Sequence, residues 1–245
     1  MILENPLTLQ ERISSTRIFN HDSKTILTHL TNGIHLRNER LSQLTHLVSA
    51  TSYLENTVSR LNLSQNYNPL NFQAFMFGFN PMVNALMESS IAPLVCHNEI
   101  SDENNYKFSN DLMFTVLFNL NKNAVRHGNK VKKGTKKFYA IHLETKITSF
   151  PENATFIPEG ANEDMNYIEF SIKNHCNKFP DSFDYEKALN TCPQGRNGFG
   201  LYITGLIAKY LKAPVDFTED KGKGKVSFYH PAYECDRHRP KPLRK

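Results

Sequence analysis

From residue 7 to residue 61 the chain contains no proline and a single glycine, Gly33. Few folds other than helices use so long a stretch without a breaker. Leu44, Leu47, Leu54, Val58 and Leu61 recur at the 3–4 spacing of a helix face, with Thr51 filling the gap. Upstream, Phe19, Ile26, Leu30 and Ile34 share a face bordered by Leu27. Asn32 and Gly33 are poor helix formers and mark the break between the two helices. The expectation is a helical hairpin over residues 1–65. One hairpin hides too little apolar surface, so two copies would pair into a four-helix bundle.

Beyond residue 66 the texture changes. Segments 137–145, 167–174 and 225–230 alternate apolar and polar residues, as half-buried strands do. Between them, 72–89, 110–128 and 200–211 read as apolar helices, and 150–165 as a surface loop. The fold class is therefore α+β: the N-terminal hairpin, then an α/β sandwich over 66–232 with helices on one sheet face, then a basic tail over 233–245.

No apolar run reaches the roughly 18 residues of a membrane span, and MILENPLTLQER has polar and acidic residues too early for a signal peptide. Cys96, Cys176, Cys192 and Cys235 show neither CxxC pairing nor zinc-like spacing, which favours reduced thiols. These features give a cytoplasmic expectation. The net charge of +5 comes largely from 129–137 and 236–245. Neither stretch is interleaved with aromatics in a recognisable module, so no nucleic acid is expected. The segment 129–137 reads as a solvated loop, with a loop near a nucleotide phosphate as the competing reading.

GRNGFGLYI, residues 195–203, packs Gly195, Gly198 and Gly200 directly before an apolar helix. Glycines allow backbone N–H groups to approach closely, and a helix start is partially positive, which suits an anion. The run lacks the Lys-Ser/Thr ending of a P-loop. In segment 110–128, Asn119 and Asn123 stand four residues apart on one face of an apolar helix. Two such amides are costly unless satisfied. Mg²⁺ with a nucleotide phosphate would satisfy them, as would a cap or interhelical hydrogen bond. Lys122, Arg126 and His127 either reach phosphates or simply favour the helix C-terminus.

NLNKNAVRHG resembles the N box, and GRNGFGLYI the G2 box, of the histidine-kinase branch of the GHKL ATPases; GKGKVSFYHP resembles the last strand of that family. The resemblance covers about 110–231 and implies a Bergerat-type α/β sandwich that binds ATP. It assigns Asn123 to Mg²⁺ and Asn119 to the phosphates or attacking group. Gly195, Gly198 and Gly200, with Leu201 beside them, fall at the hinge of the ATP lid. The G1 box is degenerate. In NHCNKFP, Asn174 stands for the aspartate that accepts from the adenine amino group, and Cys176 and Lys178 stand for the two glycines. Phe183 stands for the aromatic of the F box.

FNHDSKTILTHL, residues 19–30, resembles the phosphoacceptor H box: His21, Asp22, Lys24, Thr25, Leu27 and Thr28 match, and Ile26 replaces the usual proline. At about 100° per residue, His21, Thr25, Thr28 and Asn32 cluster opposite the apolar face. An exposed helix histidine is ordinarily only surface; the motif singles out His21. Asp22 would hold the imidazole or take its proton, and Thr25 would orient water. The resemblance thus implies a homodimeric histidine kinase that autophosphorylates His21 from Mg-ATP and passes the phosphoryl group to an aspartate of a response-regulator receiver domain. The alternatives are a phosphorelay phosphotransferase with a decayed nucleotide site, or a nucleotide-dependent binding module.

Overall fold

The computed structural model describes residues 67–73, 75, 76, 79, 95–101, 103–175, 183–193, 198–220 and 223–235. The expected helical hairpin with His21, Asp22 and Thr25 lies outside the described residues, as do Cys176, Lys178, Gly195 and the tail from residue 236. In chain order the elements are β1 (Tyr67–Pro69), β2 (Val95–Asn98), a 3-10 turn (Glu103–Asn105), β3 (Tyr106–Ser109) and α1 (Asn110–His127). There follow β4 (Lys130–Lys133), β5 (Lys136–Tyr139), β6 (Ile141–Thr148) and β7 (Tyr167–Asn174). Then come α2 (Tyr185–Asn190), α3 (Phe199–Leu211), β8 (Val215–Asp220), β9 (Lys223–Pro231) and β10 (Tyr233–Glu234).

A five-stranded sheet ordered β2-β6-β7-β9-β8 is the frame. β2 runs parallel to β6 and every other pairing is antiparallel. Side chains alternate across a strand, so Ile168, Phe170, Ile172 and Asn174 of β7 share one face. That face meets Ile141 and Leu143 of β6, Phe228 of β9 and Val215 of β8 in one buried cluster. Met113, Val116, Leu117 and Leu120 of α1 and Ile203, Ile207 and Leu211 of α3 close it from above. Burying each such side chain stabilises by roughly 1.5–3 kcal/mol. This is the α+β sandwich expected after residue 66, with both long helices on one sheet face. The expected segments 110–128 and 200–211 are realised as α1 and α3 within one residue at each end.

A second, three-stranded sheet ordered β1-β3-β10 continues into α1. Phe75 stacks with Phe79 at 5.7 Å and meets Phe108 edge-on at 5.5 Å, while Phe79 meets Phe114 of α1 edge-on at 5.3 Å. Each such pair adds about 0.5–1.5 kcal/mol beyond its buried area. His230 is wholly buried beside the start of α1. Its Nε2 accepts from the Ser109 N–H at 3.4 Å, and its Nδ1 lies 2.7 Å from the Pro231 carbonyl, to which it donates as the neutral tautomer. Burial pushes its pKa down to about 4, against a raising contribution from that carbonyl.

On the opposite sheet face Glu169 is buried between Lys225 at 2.7 Å and Lys146 at 3.4 Å, and accepts from Ser227 Oγ at 2.8 Å. Burial pushes its carboxyl up, but the hydrogen bonds from Lys225 and Ser227 and the two ammonium charges outweigh it and hold the pKa below the usual carboxylate value. The loop 150–165 is pinned at the far end of the sheet. Phe156 bridges Val215, Thr155 donates to Asp216 through its hydroxyl (2.9 Å) and its N–H (3.1 Å), and Tyr167 donates to the Asn162 carbonyl at 2.9 Å.

Three expectations are corrected. The strand expected over 137–145 is two strands, β5 and β6, separated at Ala140: β5 pairs with β4, whereas β6 joins the main sheet. The lysine-rich segment expected to be a solvated loop is the β4–β5 hairpin, turned at Gly134 with φ +63. Tyr233–Glu234, placed in the basic tail, pairs with Lys107 and Tyr106 of β3. Among the described residues no helix is long and apolar enough to cross a membrane, and Cys96, Cys192 and Cys235 form no disulfide.

Candidate functional site

β7 ends at Asn174, the C-terminal turns of α1 lie against that end, and α3 starts beside α1. Chain direction dictates this. α3 runs back toward β8, which begins at the opposite end of the sheet from Asn174, so the N-terminus of α3 falls at the Asn174 end.

Asn119 is 4% exposed. Its Nδ2 donates to the Thr115 carbonyl one turn back at 3.1 Å, which orients the carboxamide oxygen outward from α1. That oxygen faces the first turn of α3: a methyl group added at Gly200 would sit 3.2 Å from it. Gly200 is thus the residue that lets the two helices meet at this point. Thr204 Oγ1 donates to the Gly200 carbonyl at 2.9 Å and fixes the same turn from within.

Gly198 caps α3 with φ 93 and ψ −12, a left-handed conformation that favours glycine. No side chain caps this end. The first N–H groups of an α-helix lack intrahelical partners, and here they open beside Asn119 with the positive end of the helix dipole. Leu201 is half-buried against the core in the same turn.

Asn123, one turn beyond Asn119 on α1, is half-buried. At about 100° per residue the two amides lie within roughly 40° of each other around the axis. Arg126 and His127 are exposed in the last turn. Partial burial and then the Arg126 charge hold His127 below the usual imidazole range, so it is neutral at neutral pH. Asn174 is buried and its Nδ2 donates to the Ala124 carbonyl at 2.8 Å, tying β7 to α1. With its nitrogen committed there, the carboxamide oxygen is the group left to accept a hydrogen bond.

The structure therefore brings together Asn119, Gly198, Gly200 and Leu201, with Asn123 one turn along and Asn174 joined to the same turns. Arg126 and His127 flank them at the end of α1. Phe183 is 46% exposed, packing edge-on to Tyr185 at 4.7 Å, and Tyr185 stacks on Phe217 of β8 at 4.4 Å. Gly205, which sequence reasoning passed over, is where α2 meets α3: a methyl group there would lie 1.9 Å from the Leu189 carbonyl oxygen. Its signal was a glycine inside an apolar helix, which marks a close approach. Asn121, also passed over, is wholly buried; its Nδ2 donates to Leu117 O at 2.8 Å and its Oδ1 has no partner.

Chemically this is an amide-bearing helix beside an uncapped, glycine-opened helix start. The N–H groups suit an anion, amide oxygens suit a hard cation, and the Asn174 oxygen suits an amino group. No family model and no curated protein matches the chain. Its structure is similar to those of histidine kinases. Histidine kinase AdeS of Acinetobacter baumannii is 14% identical, with 86% of this chain and 98% of that chain covered and a TM-score of 0.46. The histidine kinase domain of the Erythrobacter litoralis EL346 blue-light activated kinase is 9% identical, with 89% and 94% covered and a TM-score of 0.45. A bacterial phosphotransferase is 9% identical, with 93% and 100% covered and a TM-score of 0.48.

Proposed function

We propose that the chain is a two-component histidine kinase core that takes Mg-ATP between α1 and the start of α3, phosphorylates His21 and passes the phosphoryl group to a response-regulator aspartate. The observation that supports it is the approach of the Asn119 carboxamide to Gly200 at the uncapped start of α3. The residues present fit the substrate. The N–H groups of the first turn of α3 would hold phosphate oxygens, with Arg126 and neutral His127 at the rim. The Asn123 oxygen would ligate Mg²⁺, Asn119 would position the phosphates, and the Asn174 oxygen would accept from the adenine amino group. Amide oxygen is a hard donor of the kind magnesium takes, and Asn123 stands one turn from Asn119 on the same side of α1. A magnesium ion would supply charge neutralisation at the transferring group.

In this reading residues 1–65 form the dimerising hairpin, two of them making a four-helix bundle, and 66–232 the ATP-binding domain. Asp22 orients the His21 imidazole and accepts its proton, so the other ring nitrogen attacks the γ-phosphorus as ADP leaves. Thr25 orients the water that hydrolyses the partner's aspartyl phosphate.

One observation favours the second reading, a phosphorelay phosphotransferase without autokinase activity. Position 174 carries no carboxylate, and its amide nitrogen is used to tie β7 to α1. Incubation with γ-labelled ATP and Mg²⁺ separates the two. Acid-labile label that disappears in both His21→Gln and Asn123→Asp supports the kinase. Absence of label from ATP, with label accepted from a phosphorylated receiver domain, supports the relay. Nucleotide binding with neither transfer overturns both and leaves a nucleotide-dependent binding module.

A further inference from the structure

The β4–β5 hairpin carries Lys130, Lys132, Lys133, Lys136 and Lys137 and no acidic residue. The chain has 29 Lys and Arg against 24 Asp and Glu. Without these five lysines the count is 24 against 24, so a charge equal to the whole net charge of the protein sits on one short ribbon.

Register makes the concentration sharper. Lys132 stands opposite Lys137, and Lys133 opposite Lys136. Like charges directly opposite each other destabilise a ribbon, and two strands alone have little to offset that. An anion placed along the ribbon relieves the repulsion. Alternate positions of a strand fall on opposite faces. Positions 130, 132 and 137 therefore lie on one face and 133 and 136 on the other.

We infer that this hairpin binds duplex DNA through its phosphate backbone. A membrane or a flat acidic protein surface meets one face of a ribbon. A groove walled by phosphates on both sides meets two. The major groove of B-form DNA, about 12 Å wide, admits a two-stranded ribbon, whereas that of duplex RNA is too narrow. Lys130 Nζ lies 5.2 Å over the Tyr139 ring, which occupies one face of the ring and removes it as a platform for bases. The contacts are thus lysine to phosphate, and they carry no sequence preference. The composition of 129–137 alone gave no such expectation; the pairing of the lysines does.

The test is fluorescence anisotropy of the full chain with a labelled 20-base-pair duplex of mixed sequence, titrated between 50 and 200 mM salt. Each neutralised phosphate contributes about 0.9 to the log–log slope, so five lysines give an affinity loss of about 500-fold over that range. In Lys132→Gln/Lys137→Gln three lysines remain and the loss shrinks to about 40-fold. That variant removes a repulsive pair, so the ribbon itself is not put at risk. Two unrelated duplex sequences should bind alike. Absence of binding at 50 mM salt overturns the inference. So does an unchanged slope in the double variant while Arg239→Gln/Lys241→Gln/Arg244→Gln lowers it, which would assign binding to the tail. Tighter binding to polyglutamate, or to phosphatidylserine-containing vesicles, than to the duplex would overturn it in favour of those surfaces.

Discussion

Acid should loosen this protein through one buried imidazole. His230 has a pKa of about 4 in the folded chain and 6.5 once exposed. Between those values the unfolded chain binds more protons than the folded one, so stability is complete above the exposed value and is lost as pH falls toward the folded one. Going from pH 7 to pH 5, the difference in proton uptake costs about 2 kcal/mol. In a urea titration with a slope near ~2 kcal/mol per molar, that moves the midpoint down by about 1 M. The chain has no tryptophan and 10 tyrosines, so tyrosine fluorescence is the readout. His230→Gln keeps an acceptor for the Ser109 N–H and cannot titrate. The gap between parent and variant midpoints should therefore change by about that amount between pH 7 and pH 5. Other groups that titrate, His127 and His142 among them, are common to both proteins and cancel. If the two pH dependences run parallel, the imidazole is not held neutral by the core and the reasoning fails.

Three further perturbations test the packing around the candidate site. Gly205→Ala puts a methyl group against the Leu189 carbonyl; forcing α2 off α3 should cost at least ~2 kcal/mol, read as a lower thermal midpoint. Asn121→Leu keeps the branched shape but removes the unpartnered buried oxygen and should stabilise by about 1 kcal/mol in the same scan; a loss in both this variant and the smaller Asn121→Ala would mean that the amide is satisfied in solution. Asn174→Asp replaces the donor to the Ala124 carbonyl with an acceptor. It should lower stability by about 1–3 kcal/mol, and hydrogen exchange should rise in the last turns of α1.

Legibility in the sequence followed burial. α1 and α3 declare themselves because their apolar residues recur at the helical period, and β7 because a central strand flanked on both sides alternates cleanly. Gly200 and Asn119 each stand out in the sequence, one as a glycine before an apolar helix and one as an amide on an apolar face, and these two meet. The β4–β5 hairpin was hidden because lysine is a poor strand former and only Val131, Phe138 and Tyr139 hint at pairing; its signal was Gly134 at the first position of a two-residue turn. β8 was missed because VDFTED is an edge strand whose polar half carries little pattern. The role of the Asn174 nitrogen was illegible, since nothing in the local sequence says that a carbonyl 50 residues away will be within reach.

The parallel pairing of β2 with β6 joins residues 47 apart, as in the hydrogen bond from Thr145 to Asn98. No tight turn can bring such partners together. Closing a loop of that length costs chain entropy before the pairing returns any stabilisation. Late arrival and early departure then go together: the Glu99 amide, bonded to Thr145, should be among the first of the sheet to exchange with deuterium.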